Sequence, residues 1–170
     1  MLIIFGGLPG TGKTTIAKQL AKKLKAAYLR VDTVEQTLIS TSKVYNPEYQ
    51  FIGPEGYEIL YAIAQENLFT GINVIVDTVN PEKVTRETWQ KVAKSADSPF
   101  IEIELICSDK EQHKSRVTSR VPDIQGHKLP TWQEIVDREY EPWESRTLLI
   151  DTSKYSVEES LQMILDHLNF

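Results

Sequence analysis

Cysteine, histidine and long hydrophobic runs are all scarce in this chain of 170 residues. A single cysteine, Cys107, and three histidines exclude a disulfide framework and a cysteine-rich zinc site. No run reaches the roughly 18 apolar residues of a membrane span, and the apolar start Met1–Phe5 is too short for a signal peptide. No block of five like charges occurs. The net charge of −5 therefore argues against a nucleic-acid partner, while a local basic pocket remains compatible with it. With 41% hydrophobic and 25% charged residues, the chain has ordinary globular composition rather than that of a disordered one. The expectation is a soluble, cytoplasmic, single domain over residues 1–170, with no membrane partner.

What is present alternates. Short apolar runs at Leu2–Phe5, Ala27–Val31, Asn73–Val76, Phe100–Ile106 and Thr147–Ile150 are separated by amphipathic segments, which points to the α/β class. The uninterrupted runs read as parallel strands covered on both faces. The strand Phe100–Ile106 alternates Glu102 and Glu104 with isoleucine and leucine, which predicts partial exposure. Ile16, Leu20 and Leu24 give one buried stripe to a helix over Lys13–Lys25, and Tyr57, Leu60, Tyr61, Ala64 and Leu68 do the same for Glu55–Phe69. Three capping boxes start further helices, at Ser108 with Glu111, Thr131 with Glu134, and Ser156 with Glu159. Asn80 followed by Pro81 reads as a cap opening a helix to about Ala96. Ser42–Gly53 and Val121–Pro130 are left as long loops of the kind that often carry function.

The sharpest motif is Gly7, Leu8, Pro9, Gly10, Thr11, Gly12, Lys13, Thr14, which matches G-x-x-x-x-G-K-[ST] between a strand and a helix. Its glycines let the backbone N–H groups turn inward, and the following helix adds its positive end, so the loop suits a triphosphate. Lys13 is expected on the β- and γ-phosphates, the Thr14 hydroxyl on Mg²⁺ and Thr15 on the α-phosphate. Asp77 closes the run Val74–Val76 and is the second candidate Mg²⁺ ligand; the plainer reading is a polar strand terminus.

Asp32 ends another strand on the same sheet edge, where a carboxylate can take an alcohol's proton. It also fits a helix cap, with Glu35 three residues on. Arg116 and Arg120 lie four apart on one helix. With the loop after them, they read as a lid over about residues 116–131 that excludes water and brings positive charge, or else as solvated surface arginines. Tyr45 and Tyr49 either line an acceptor pocket or cover the sheet edge, whereas Tyr57 and Tyr61 fit a packing stripe. Trp89, Trp132 and Trp143 read as packing residues.

Taken together, these residues resemble the small P-loop kinases of the shikimate, gluconate, adenylylsulfate and chloramphenicol phosphotransferase type, and the ATP-binding proteins often called predicted kinases. The resemblance runs from Gly7–Thr14 through Arg30-Val31-Asp32, Asp77 with Thr78 and Asn80, and Arg116 with Arg120, to Asp151-Thr152. It implies a three-layer α/β/α P-loop NTPase fold, with a five-stranded parallel sheet in the order 2-3-1-4-5 and a helical lid. It also implies ATP and Mg²⁺ as cofactors and a small-molecule hydroxyl as acceptor. Lys13, Asp32 and Arg120 would be catalytic, Arg116, Asp151 and Thr152 would border the nucleotide, and Asp32, Tyr45, Tyr49 and Asn80 would face the acceptor. The chain lacks the shikimate group's aspartate pair, and Arg30-Val31-Asp32-Thr33-Val34 stands where the adenylylsulfate group has Asp-Gly-Asp-Asn. Glu35 replaces the arginine of polynucleotide kinases, and the guanine-reading Asn-Lys-x-Asp is absent, which favours ATP. A polynucleotide or nucleotide 5′-kinase and a non-enzymatic ATP-gated interaction protein are the competing readings.

Overall fold

The computed structural model describes residues 1–46, 48 and 53–169. Five strands, β1 (Leu2–Gly6), β2 (Ala27–Arg30), β3 (Val74–Asp77), β4 (Phe100–Ile106) and β5 (Leu148–Asp151), form one all-parallel sheet in the order β2-β3-β1-β4-β5. The central strands β1 and β3 are buried at every residue, as their uninterrupted apolar runs require. On one face, α1 (Lys13–Leu24) and α7 (Val157–His167) pack Ile16, Leu20, Leu161 and Ile164 against Ile3, Phe5 and Ile103. On the other, α3 (Glu55–Phe69) and α4 (Lys83–Ser95) pack Leu60, Tyr61, Ala64 and Trp89 against Leu2, Ile4, Val74 and Val76. The sheet is thus covered on both faces, giving the three-layer α/β/α P-loop arrangement.

The remaining helices are α2 (Val31–Tyr45), α5 (Lys110–Ser119) and α6 (Trp132–Val136). Helix α2 begins directly after Arg30, without a connecting loop, and runs past Ser42, so the long segment after it starts only at Asn46. No described helix is long and apolar enough to cross a membrane.

Four local expectations change. Glu102 and Glu104 are buried, not half-exposed. Glu102 accepts from Gln90 and Ser145, and Glu104 pairs with Arg146 at 3.3 Å, so polar partners from distant segments make the burial tolerable. Asn80 is not a helix cap; α4 starts at Lys83 with Glu82 at its N-cap. Asn80 instead takes a left-handed φ of 50° and is fully buried. The capping residue of α5 is Asp109, which accepts from the Gln112 N–H, one position beyond the expected Ser108. Asp32 lies within the first turn of α2 and does not cap it, Arg30 being the N-cap residue. The capping boxes at Thr131 and Ser156 form as their spacing predicts.

Candidate active site

The parallel register carries Arg30, Asp77 and Asp151 to the carboxyl ends of β2, β3 and β5, on the edge where the loop after β1 also emerges. A cavity of about 1330 Å³ opens there. This exceeds the roughly 300–1,000 Å³ of a pocket for one small molecule, so it has room for two ligands side by side. It is lined by Lys13, Thr14 and Thr15 from α1, by Asp32 and Glu35 from α2, by Asp77, and by Arg116, Arg120, His127, Lys128 and Arg138 from the segment after β4.

The loop before α1 has the backbone that an anion cradle needs. Gly7 and Gly12 adopt φ of 129° and 94°, and a Cβ on Gly7 would stand 2.1 Å from the Leu105 carbonyl oxygen. The first turn of α1 holds no acidic residue and no side-chain cap, so its N–H groups and positive end are left for a ligand. Lys13 folds back into this loop and donates to the carbonyls of Gly7 at 2.7 Å and Leu8 at 2.9 Å. Burial pushes the Lys13 ammonium down to about 8, while Asp77 and Asp32 oppose the shift and Arg120 and Arg138 add to it.

Asp77 receives the Tyr28 hydroxyl on Oδ2 at 2.6 Å, and the Arg30 Nε stands 4.0 Å from the same oxygen. Among the described residues its Oδ1 has no partner, and neither has the Thr14 hydroxyl. Two free oxygen donors on the wall of a phosphate cavity fit Mg²⁺, which keeps waters and phosphate oxygens in most of its coordination positions.

The nucleotide side is closed by Thr152. Its hydroxyl donates to the Thr11 carbonyl at 3.0 Å and accepts from Arg116 Nη1 at 2.8 Å, while Arg116 Nη2 reaches the Thr152 carbonyl. Asp151 does not line the cavity. It accepts from the backbone and side chains of Ser108 and Ser153, and these hydrogen bonds outweigh burial and hold its carboxyl well below the usual range. Asp151 therefore buttresses the loop that presents Thr152. Helix α5 is fastened to the cradle through His113 Nε2, 2.8 Å from the Pro9 carbonyl, and the His113 ring meets the edge of Trp132 on α6. Arg116 and Arg120 both reach the cavity, rather than standing in solvent.

On the opposite wall, Asp32 and Glu35 share one face of α2. Glu35 packs against α3 where Gly56 leaves space, since a Cβ there would come 2.6 Å from the Glu35 Cγ. Burial and the neighbouring Asp32 push the Glu35 carboxyl up to about 7, against the pull of Arg138. Tyr57 lines the same wall, so it serves the cavity as well as the helical stripe; its hydroxyl, raised to about 12 mainly by burial, accepts from the Asn80 N–H. Asn80 itself stays in the core, donating to the Phe5 carbonyl at 2.8 Å and accepting from Trp89 at 3.1 Å, and no part of it lines the cavity. Tyr49 and the side chain of Tyr45 lie outside the described residues.

A family model described as an AAA domain matches residues 2–137. The chain belongs to the AAA domain family. A probable adenylyl-sulfate kinase from Aeropyrum pernix is 26% identical over 162 residues, covering 93% of this chain and 86% of that protein. An L-seryl-tRNA(Sec) kinase from Methanococcus maripaludis is 28% identical over 98% of this chain, which spans only 65% of its length. Among solved structures, the Mycobacterium tuberculosis APS kinase in complex with AMPPNP and APS superposes with a TM-score of 0.70 at 19% identity, covering 99% of this chain and 97% of that one. In fold, this AAA domain is similar to these P-loop kinases.

Three residues of the AAA domain's cavity, and Arg30 outside its lining, have placements that a reading of its sequence does not give. Arg30 ends β2 next to an aspartate, a position that signals its presence at the sheet edge but not its partners. Glu35 stands one helical turn after Asp32, a spacing that also fits a capping box. Tyr155 and Arg138 line the cavity from a turn after β5 and from beyond α6, and nothing in their local sequence marks them.

Proposed function

We propose that the protein transfers the γ-phosphoryl group of ATP to a hydroxyl of a small molecule. The observation that carries this reading is that Lys13, Thr14, Asp32, Asp77, Arg116 and Arg120 all border one cavity at the carboxyl edge of the sheet. In this reading the triphosphate fills the loop before α1, and Lys13 leaves the carbonyls of Gly7 and Leu8 for the β- and γ-phosphate oxygens. Thr14 and Asp77 hold Mg²⁺, which neutralises charge on the phosphates. Arg116 and Thr152 border the nucleotide, with Tyr155 beside them.

The acceptor lies against Asp32, Glu35 and Tyr57, with Tyr45 and Tyr49 as further candidates from the sequence alone. Its hydroxyl oxygen attacks the γ-phosphorus, the bond from that phosphorus to the β,γ-bridging oxygen breaks, and Asp32 takes the hydroxyl proton. Arg120 stabilises the charge on the moving phosphoryl group, with Arg138 close by.

The test is incubation with ATP, Mg²⁺ and pools of hydroxylated metabolites, followed by mass spectrometry for a phosphorylated product that Lys13→Ala abolishes. A pool of transfer RNA serves as the competing acceptor. Saturable ATP binding without any acceptor-dependent product would replace this reading with a nucleotide-gated interaction protein.

A further inference from the structure

The segment between α5 and α6 crosses the cavity to the opposite wall. In its middle, Asp123 accepts from Arg30 Nη1 through both oxygens, at 2.9 and 2.7 Å, and from Lys18 Nζ at 2.9 Å. Three residues further on, Gly126 lies so close to α2 that a Cβ there would come 3.0 Å from the Gln36 Nε2. The lid is therefore closed onto α1, β2 and α2 in this structure.

The receiving end of that contact is unusual. Arg30 is buried, with its side chain 3% exposed, and its remaining nitrogens go to a different partner. Nε at 3.2 Å and Nη2 at 3.0 Å both donate to Oδ2 of Asp32, which leaves the Asp32 Oδ1 without a partner among the described residues. Asp77 stands 4.0 Å from the same guanidinium. A guanidinium presents its donors in a rigid planar fork, so fixing one edge on the lid fixes the other edge on α2. An ammonium in its place would be a single point charge without that geometric transmission.

We propose that Arg30 is a positioning residue which makes lid closure and alignment of Asp32 one event. While Asp123 occupies Nη1, the guanidinium plane is set and Asp32 is held by one oxygen with the other facing the acceptor. When the lid opens, a buried cation loses its bidentate partner and turns toward the nearest remaining anions, Asp32 and Asp77, and the alignment is lost. Transfer from an open, wet cleft is thereby suppressed. The Asp32 half of this proposal rests on the kinase reading; the bridge from lid to β2 does not.

Two measurements on the full chain separate those halves. The first is amide hydrogen exchange over residues 121–130, with and without AMPPNP and Mg²⁺. Asp123→Asn should speed exchange there by about tenfold in the free protein, and Lys18→Ala, which removes a half-exposed partner of Asp123 and leaves both Arg30 bonds, by less than about threefold. Unchanged exchange in Asp123→Asn overturns the bridge. The second is kinetics with the acceptor that the pooled screen identifies. Asp123→Asn and Arg30→Lys should each lower kcat by about tenfold or more while the KM for ATP stays within about threefold, and Asp123→Glu should recover part of the loss. Because Asp123 is exposed, its variants carry the test even if Arg30→Lys fails to fold. A loosened lid with wild-type kcat overturns the coupling. A wild type that phosphorylates no acceptor ends the kinase reading and the role of Asp32 with it, while exchange still decides the bridge.

Discussion

The Lys13 ammonium donates to the Gly7 carbonyl at 2.7 Å, so the loop that would cradle phosphate holds its own cation inside it. Burial makes that ammonium weakly basic, at about 8, and two carbonyl dipoles are poor compensation for an anion. Lys13→Ala should therefore abolish product formation, a loss of about 10³-fold or more in kcat/KM, with little cost to folding because a desolvated charge is removed. Thermal denaturation without nucleotide checks the second half. A large drop in Tm would mean that the lysine holds the loop together rather than waiting for a ligand.

Asp32 sits inside the first turn of α2 and is not its N-cap, which separates two roles that its sequence position confuses. If it accepts the proton, Asp32→Asn should lower kcat by about 10² to 10⁴ and leave ATP affinity nearly unchanged. The stability cost should stay near 1 kcal/mol, because Arg30 keeps Asp123 as a bidentate partner. Steady-state kinetics beside a calorimetric ATP titration reads both. Near-normal turnover would remove Asp32 from the chemistry.

The strands and the cradle were legible because each is written in contiguous residues: apolar runs that need cover on both faces, and a glycine loop between a strand and a helix; the order of the strands followed only from the family resemblance. What could not be read locally depends on partners remote in sequence. Glu102 and Glu104 looked solvated because their alternation is that of an exposed face, yet Gln90, Ser145 and Arg146 reach them from other segments. Ser108 looked like a cap because a serine stands three residues before a glutamate; its hydroxyl is taken by Asp151, 43 residues away in sequence, and Asp109 caps instead. Asn80 looked like a cap before a proline, but a left-handed backbone turns its amide into the core. The site shows the same division. Lys13, Thr14 and Asp77 follow from motif and strand ends, while the joining of Asp32 to the lid through Arg30 and Asp123 exists only in three dimensions.

Asn80 joins β1 to α4 through a donated bond to Phe5 and an accepted bond from Trp89, with no exposed surface. Asn80→Ala leaves the buried Trp89 Nε1 and the Phe5 carbonyl short of a partner and places alanine at a φ of 50°. The expected cost is about 2–4 kcal/mol, read as a lower midpoint in denaturant with an unchanged slope. Catalysis per folded molecule should persist, since no atom of Asn80 reaches the cavity. An acceptor KM that rises with no loss of stability would instead return this residue to substrate binding.

Glu35 offers a test of the cavity's electrostatics that needs no substrate. Its carboxyl rises from 4.5 to about 7 in the folded protein, because it is half-buried beside Asp32 and only partly offset by Arg138. Between those two values the folded state keeps a proton that the unfolded chain has released, so the folded state binds more protons and stability falls as pH rises through the window. Above about 7 both states are ionised and the deficit is constant. Glu35→Gln removes the titration without changing shape. It should therefore be indistinguishable from wild type near pH 4, and more stable by about 1 kcal/mol at pH 8 once solvent screening of a half-buried group is allowed for. In a domain of this size that corresponds to roughly 2–4 °C in Tm, and the gain should develop between pH 5 and 7. A difference that is the same at every pH would place Glu35 in an ordinary solvated setting, and the wall that it shares with Asp32 would then be wetter than the structure draws it.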